Sequence, residues 1–159
     1  MKKGQILGMP FVYILALIVG ALILIFGVKW IFQLQETASS VQLNKFVDDL
    51  RIESEKYYSL DPESKKEIKL NLPNKVKQLC FKGTELDQNT LSQQEKNLIQ
   101  LESRNNVFFI PLDSYKNTKF YINEIINPNV ANKDKILCIK NPGIFYLETE
   151  KNFVNIKLS

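Results

Sequence analysis

The chain has no histidine among its 159 residues. Serine–histidine and cysteine–histidine machinery, imidazole metal ligands and histidine titration near neutrality are therefore excluded. It also lacks a Walker loop, GxGxxG, GxSxG and HExxH, so the common phosphate-cradling, nucleophile-elbow and zinc-hydrolase devices are missing. No Asn-x-Ser/Thr acceptor occurs, and N-glycosylation is not indicated. Three local absences say more. No charge falls between Ile6 and Val28, no acidic residue precedes Glu36, and neither glycine nor proline occurs from Lys29 to Leu60.

What is present is globular in its averages, with 45% hydrophobic residues, 24% charged residues and a net charge of +4. Those fractions exclude disordered and collagen-like classes. The length allows one domain of ordinary size, or a smaller one with an appendage. The averages conceal an asymmetry, because the charges crowd outside the apolar segment. Setting that segment aside leaves about 130 residues for a folded domain.

The run from Ile6 to Val28 is 23 residues long and wholly uncharged. As a helix at about 1.5 Å per residue it reaches roughly 34 Å, slightly more than a hydrocarbon core of about 30 Å. Pro10 sets the start, since proline costs nothing in a first helical turn and removes a hydrogen bond further in. The regular helix is thus predicted from Met9, with Pro10–Val28 spanning the bilayer. Lys29 and Trp30 then supply an interfacial charge and an aromatic anchor. Lys2 and Lys3 precede the span, which favours a single pass through the cell membrane, a cytoplasmic N-terminus and an extracellular C-terminal domain. Lys29 offsets part of that bias, and Glu36, Asp48 and Asp49 soon follow it. A buried helix of a soluble protein is the bland alternative, against which stands the length of the uncharged run. A cleavable secretory signal is the other, but the run ends Phe26-Gly27-Val28-Lys29-Trp30 with no Ala-x-Ala site.

Met1-Lys2-Lys3-Gly4-Gln5, joined directly to the apolar stretch, resembles the class III signal peptide of archaeal type IV pilin-like proteins. In that family a membrane peptidase cuts after a short basic leader ending in glycine or alanine. The resemblance implies cleavage between Gly4 and Gln5, with the apolar helix retained as membrane anchor and, in pilins, as filament core. Two positions depart from the pilin pattern: Met9 stands where the family commonly has glutamate, and Pro10 follows it. The whole chain is also similar to bitopic proteins of small archaea that share this opening and a small extracytoplasmic domain. That similarity implies compartment and architecture, and no activity.

Past Trp30 the helical period continues in more polar surroundings. Ile31, Leu34, Ala38 and Val41 form one stripe; Leu43, Phe46, Val47, Leu50 and Tyr57 form another, rotated around the helix. Asp61-Pro62 is the expected stop, because a residue before proline disfavours helix. The reading is one helix from Met9 to Ser59. Its outer half is expected to pack on the domain, whereas the first stripe has no obvious partner there and leaves open a coiled-coil contact with another copy.

From Lys66 the signals turn to β. Ile68, Leu70 and Leu72 alternate with Lys69 and Asn71, and Val76–Phe81 follows after a Pro73-Asn74 turn. Ser92-Gln93-Gln94-Glu95 has capping-box form and opens a short helix to Leu101. Ser103–Asn106 reads as a loop, Val107–Ile110 as a buried strand, and Phe120–Ile126 as a strand with weaker alternation. Asn127-Pro128-Asn129 and Asn141-Pro142-Gly143 are turns. Residues 144–149 and 153–158, around Glu150-Lys151-Asn152, read as a hairpin. The fold class is α+β: a long N-terminal helix, transmembrane in one half and amphipathic in the other, packed on a small, mainly antiparallel sheet domain, the lollipop shape of pilins. The expected divisions are a basic cytoplasmic leader (1–4), transmembrane helix (5–28), stalk helix (29–60) and extracytoplasmic domain (61–159).

Cys80 and Cys138 occupy similar settings, each flanked by apolar residues and followed by lysine and a turn. Both close a strand, so the two strands are candidate neighbours in the sheet. Outside the membrane a disulfide is the expected state; two small buried thiols are the alternative. Neither lies in a CxxC and no histidine is present to activate it, so a redox or nucleophilic role has no support.

Asp48-Asp49 and Glu53-Glu55 are close pairs on a solvated helix whose adjacent residues do not share a face, and solubility explains them better than a carboxylate dyad. Sequence reasoning does not bring Asp113, Glu124, Asp134 and Glu148 together. Lys65-Lys66 and Lys75-Lys77 give a basic patch, yet the 21 basic residues include Lys2 and Lys3 and face 17 acidic ones. A domain so near balance is no nucleic-acid binder by charge, and Tyr57-Tyr58 and Phe108-Phe109 interleave poorly with basic residues. No catalytic, cofactor-binding or metal-ligating residue, no cofactor and no small-molecule substrate is indicated. The expected partners are the lipid bilayer and, through the helix, another copy or a membrane complex, although Gly20-Ala21 and Gly27 form no GxxxG. Function is accordingly expected to be non-enzymatic. The chain reads as a pilin-like cell-surface protein serving assembly, adhesion or envelope contact, or alternatively as a bitopic accessory subunit of a membrane complex.

Overall fold

The computed structural model of the protein describes residues 8–61, 64–84, 86–125, 135–150 and 153–158. The leader with Gly4 and Gln5, Pro62, the Asn127-Pro128-Asn129 turn, Asp134 and Lys151-Asn152 lie outside the described residues. Contacts divide the chain into two units, Met1–Ala38 and Ser39–Ser159.

Helix α1 runs Gly8–Tyr58. Pro10 falls in its first turn, where backbone N–H groups have no helical acceptor in any case. The helix stops just before Ser59, whose N–H and hydroxyl both donate to the Lys56 carbonyl while the Leu60 N–H donates to that of Tyr57. This tightened last turn ends the helix ahead of Asp61.

In the second unit two sheets follow. β1 (Lys65–Leu70), β6 (Gly143–Glu150) and β7 (Phe153–Leu158) form a three-stranded sheet in the order β1-β6-β7. β2 (Gln78–Lys82), β3 (Val107–Ile110), β4 (Lys119–Phe120) and β5 (Ile136–Lys140) form a four-stranded sheet in the order β4-β3-β2-β5. Every ladder is antiparallel, and an isolated parallel bridge joins Gln88 to Leu137. Helix α2 (Gln93–Leu101) lies between β2 and β3 in sequence.

The alternation of each strand decides what its faces meet. Leu79 and Phe81 of β2, Val107 and Phe109 of β3, and Leu137 and Ile139 of β5 share one core with Leu43, Val47 and Leu50 of α1 and with Phe145, Leu147, Val154 and Ile156 of the other sheet. Aromatic contacts tie these layers, with Phe46 and Phe109 edge to face at 6.3 Å and Phe81 and Phe145 at 5.7 Å. The intervening residues Cys80, Phe108, Ile110 and Ile136 point the other way and are covered by Ile99 of α2, with Leu91 and Leu112 beside it. A sheet covered on both faces explains why β3 is a continuous apolar run instead of an alternating one.

Three expectations need revision. The β region is two sheets, and the Pro73-Asn74 turn carries the chain from one to the other. Pro73 has no N–H for a ladder, and Asn141 instead takes up Leu72, accepting from its N–H at 3.0 Å and donating to its carbonyl at 3.1 Å. β2 begins at Gln78, not Val76, because the Val76 N–H closes a turn onto the Pro73 carbonyl. The strand expected over Phe120–Ile126 is only Lys119–Phe120 among the described residues. The buried Asn106 amide accepts from the Ile122 N–H and donates to the Ile122 and Ile125 carbonyls, so the chain turns there instead of extending.

The capping box is present as read. Ser92 Oγ accepts from the Glu95 N–H, and the Ser92 N–H donates to Glu95 Oε2. At the other end of α2 the Lys82 ammonium donates to the carbonyls of Ile99, Gln100 and Glu102 at 2.6–2.9 Å. A cation at the unsatisfied carbonyls of a helix C-terminus is favourable for both hydrogen bonding and the helix dipole.

Candidate functional site

A chemically distinctive surface belongs to the unit Met1–Ala38. Every residue of α1 from Pro10 to Ala38 is exposed, among them Phe11, Leu17, Leu24, Phe26, Trp30 and Phe32. Among the described residues one helix is long and apolar enough to cross a membrane, and none of its apolar window is buried within the protein. A core helix of a soluble protein would be covered by its own chain. An uncovered apolar surface of this extent could cross a membrane. Lys29 and Trp30 stand exposed where the run gains charge.

The two stripes separate cleanly. Leu43, Val47 and Leu50 are buried in the second unit, with Phe46 and Tyr57 half-buried against the same core. Ile31, Leu34, Ala38 and Val41 are all exposed.

Cys80 and Cys138 form a disulfide. They are register partners on β2 and β5, with Cα atoms 4.1 Å apart. The Cys138 N–H donates to the Gln88 carbonyl, away from β2, so the pair occupies a non-hydrogen-bonded position, where opposed strands approach most closely. Cys80 is fully buried and Cys138 half-buried on the face that α2 covers. The bridge joins adjacent strands, and no free cysteine remains among the described residues.

Several ionisable groups form ion pairs. Glu148 on β6 is buried, and its carboxylate receives Lys65 of β1 at 2.9 Å and Lys157 of β7. Hydrogen bonds from Lys157 and then Lys65 hold the Glu148 carboxyl below the usual carboxylate range. Glu102 is lowered too, first by the Arg104 backbone N–H and then by Lys119. Asp48 pairs with Arg51 at 3.6 Å on the exposed face of α1, consistent with a solvated helix surface. Asp113 lies in the β3–β4 loop, Glu124 in the turn after β4 and Glu148 within β6. Among the described residues no group of three or more His, Cys, Asp or Glu is placed to hold a metal ion.

Sequence reasoning missed three polar anchors. Asn106 and Asn141 each use one side-chain amide to replace backbone pairing, and Lys82 caps α2 from a neighbouring strand. Their only sequence signal was position at a strand end beside a loop. Comparison of the chain with models of protein families, with characterised proteins and with solved structures found no match.

Proposed function

We propose that this chain is a non-enzymatic, single-pass membrane protein of pilin-like build. Pro10–Val28 is its anchor, and its disulfide-bonded α+β unit is held outside the cell for surface assembly, adhesion or envelope contact. The observation that carries the reading is the fully exposed apolar surface of α1 over Pro10–Val28. Lipid removes that surface from water, and a helix satisfies its own backbone hydrogen bonds there. Lys29 and Trp30 then mark the interface on the side of the folded unit. Lys2 and Lys3, with no acid before Glu36, favour retention of the N-terminus in the cytoplasm. A disulfide suits an oxidising, extracytoplasmic compartment.

The pilin-like part of the reading rests on Lys2-Lys3-Gly4-Gln5 running without a break into the apolar helix, ahead of an antiparallel-sheet unit. It is tested by mass spectrometry of the mature N-terminus of protein taken from its native membrane. A chain beginning at Gln5 is the expected result. A chain beginning at Met1 would contradict pilin-type processing and would favour the accessory subunit, to be sought by co-purification at fixed stoichiometry.

A further inference from the structure

Helix α1 carries a heptad repeat that the chain's own fold leaves unused. Written from Leu17, the a positions are Leu17, Leu24, Ile31 and Ala38, and the d positions are Gly20, Gly27, Leu34 and Val41. Read as far as Val41, these are the only two of the seven heptad positions without a charged or polar residue. Ser39 interrupts b, Gln33 and Ser40 interrupt c, Gln35 and Gln42 interrupt e, and Thr37 interrupts g. Lys29 and Glu36, the two charges in this stretch, both fall at f, the position farthest from an a/d seam. Every a and d residue is exposed.

Lipid alone does not account for this pattern. Hydrocarbon is served equally by apolar side chains on any face, whereas a repeat of 3.5 residues keeps one seam turned toward a partner helix over several turns. Nor does lipid explain the glycines. Glycine is a poor helix former, and at both Gly20 and Gly27 an added β-carbon would find open space within 4 Å. Packing within the chain therefore gives no reason for either to be small. In a membrane, small residues on one helix let another approach closely. Gly20 and Gly27 stand seven apart on the d line, a spacing that suits the shallow left-handed crossing of a heptad seam.

We propose that a second copy of the chain occupies this seam, parallel and in register over Leu17–Ala38. The inference rests on the anchoring reading above and supplies the anchor with a partner. Two copies held in one membrane by the same segment point the same way, so each seam residue meets its own counterpart across a two-fold axis. Leucine then faces leucine at 17 and 24, and glycine faces glycine at 20 and 27. The flanks favour self-pairing as well. Ala21, Val28 and Gln35 at e, with Ala16, Ile23, Trp30 and Thr37 at g, carry no charge. Identical copies thus bring no like charges together, and the opposite charges that would select a partner of different sequence are missing. After Val41 the next seam positions are Lys45 and Asp48, which ends the matched apolar surface.

The test is a cysteine scan of the full chain reconstituted in vesicles at high lipid dilution. Residues 31–38 are replaced singly by cysteine and oxidised with copper phenanthroline, and linked dimer is read by electrophoresis without reductant. The native pair is already bonded and adds no thiol. I31C, L34C and A38C are expected to cross-link several-fold more than F32C, Q33C and E36C, with maxima three and four residues apart. Adding G20L/G27L to L34C should cut its yield several-fold by holding the helices apart. A flat profile, maxima on the c and f positions, no dimer at any position, or a yield indifferent to G20L/G27L would overturn the proposal and leave the anchor standing. Failure of the chain to enter the vesicles would sink the anchor and the proposal together.

Discussion

Cys80 and Cys138 face each other directly across β2 and β5, with 4.1 Å between their Cα atoms and a sequence separation of 58. The bridge closes a loop containing α2, β3 and β4, so it restrains most of the four-stranded sheet in the unfolded chain. A loop of that length corresponds to a stabilisation of about 4 kcal/mol. The C80A/C138A variant, unfolded by denaturant in detergent micelles under oxidising conditions, should lose about that much. An unchanged midpoint would show that the bridge does not restrain the fold.

Glu148 couples all three strands of its sheet through Lys65 and Lys157. Its native carboxyl is held below its unfolded value, so its contribution is fully present above the unfolded value and is lost as pH falls through the native one. E148Q should therefore cost about 1–2 kcal/mol at neutral pH. Denaturation series of the two proteins should converge as the solution is acidified below the carboxylate range. A gap that is constant with pH would assign the effect to packing instead of charge.

Asn106 is 4% exposed, and its amide serves one backbone N–H and two carbonyls. N106A leaves those buried groups without partners and should cost about 2–3 kcal/mol, with the Ile122 amide exchanging faster in deuterium. A loss below about 0.5 kcal/mol would mean that the turn after β4 holds itself.

Leu50 and Val41 lie on the same helix with opposite fates, at 2% and 59% exposure. L50A opens a cavity beneath the sheets and should cost about 2–4 kcal/mol. V41A should stay within about 0.5 kcal/mol in micelles. A large loss at Val41 would point instead to a contact between copies.

These contrasts show where the sequence was informative. Periodicity separated Leu43, Val47 and Leu50 from Ile31, Leu34 and Val41, because burial repeats with the helix. Ser92 and Glu95 announced α2 through a capping pattern confined to four residues. The echo between the cysteine settings found a real pair of neighbouring strands. The split into two sheets was illegible, since it depends on Asn141 pairing with Leu72, 69 residues away. The shortening of β4 depends likewise on Asn106 reaching Ile122. Long-range polar contacts of this kind leave no local periodicity.

Pro10–Val28 is proposed to cross a lipid bilayer. Alkaline carbonate extraction of native membranes, followed by detection of the full chain, tests it most directly. The chain is expected to stay in the membrane pellet and to leave it only with detergent. Recovery in the carbonate supernatant would contradict it, and a protein partner would then have to cover the exposed apolar helix.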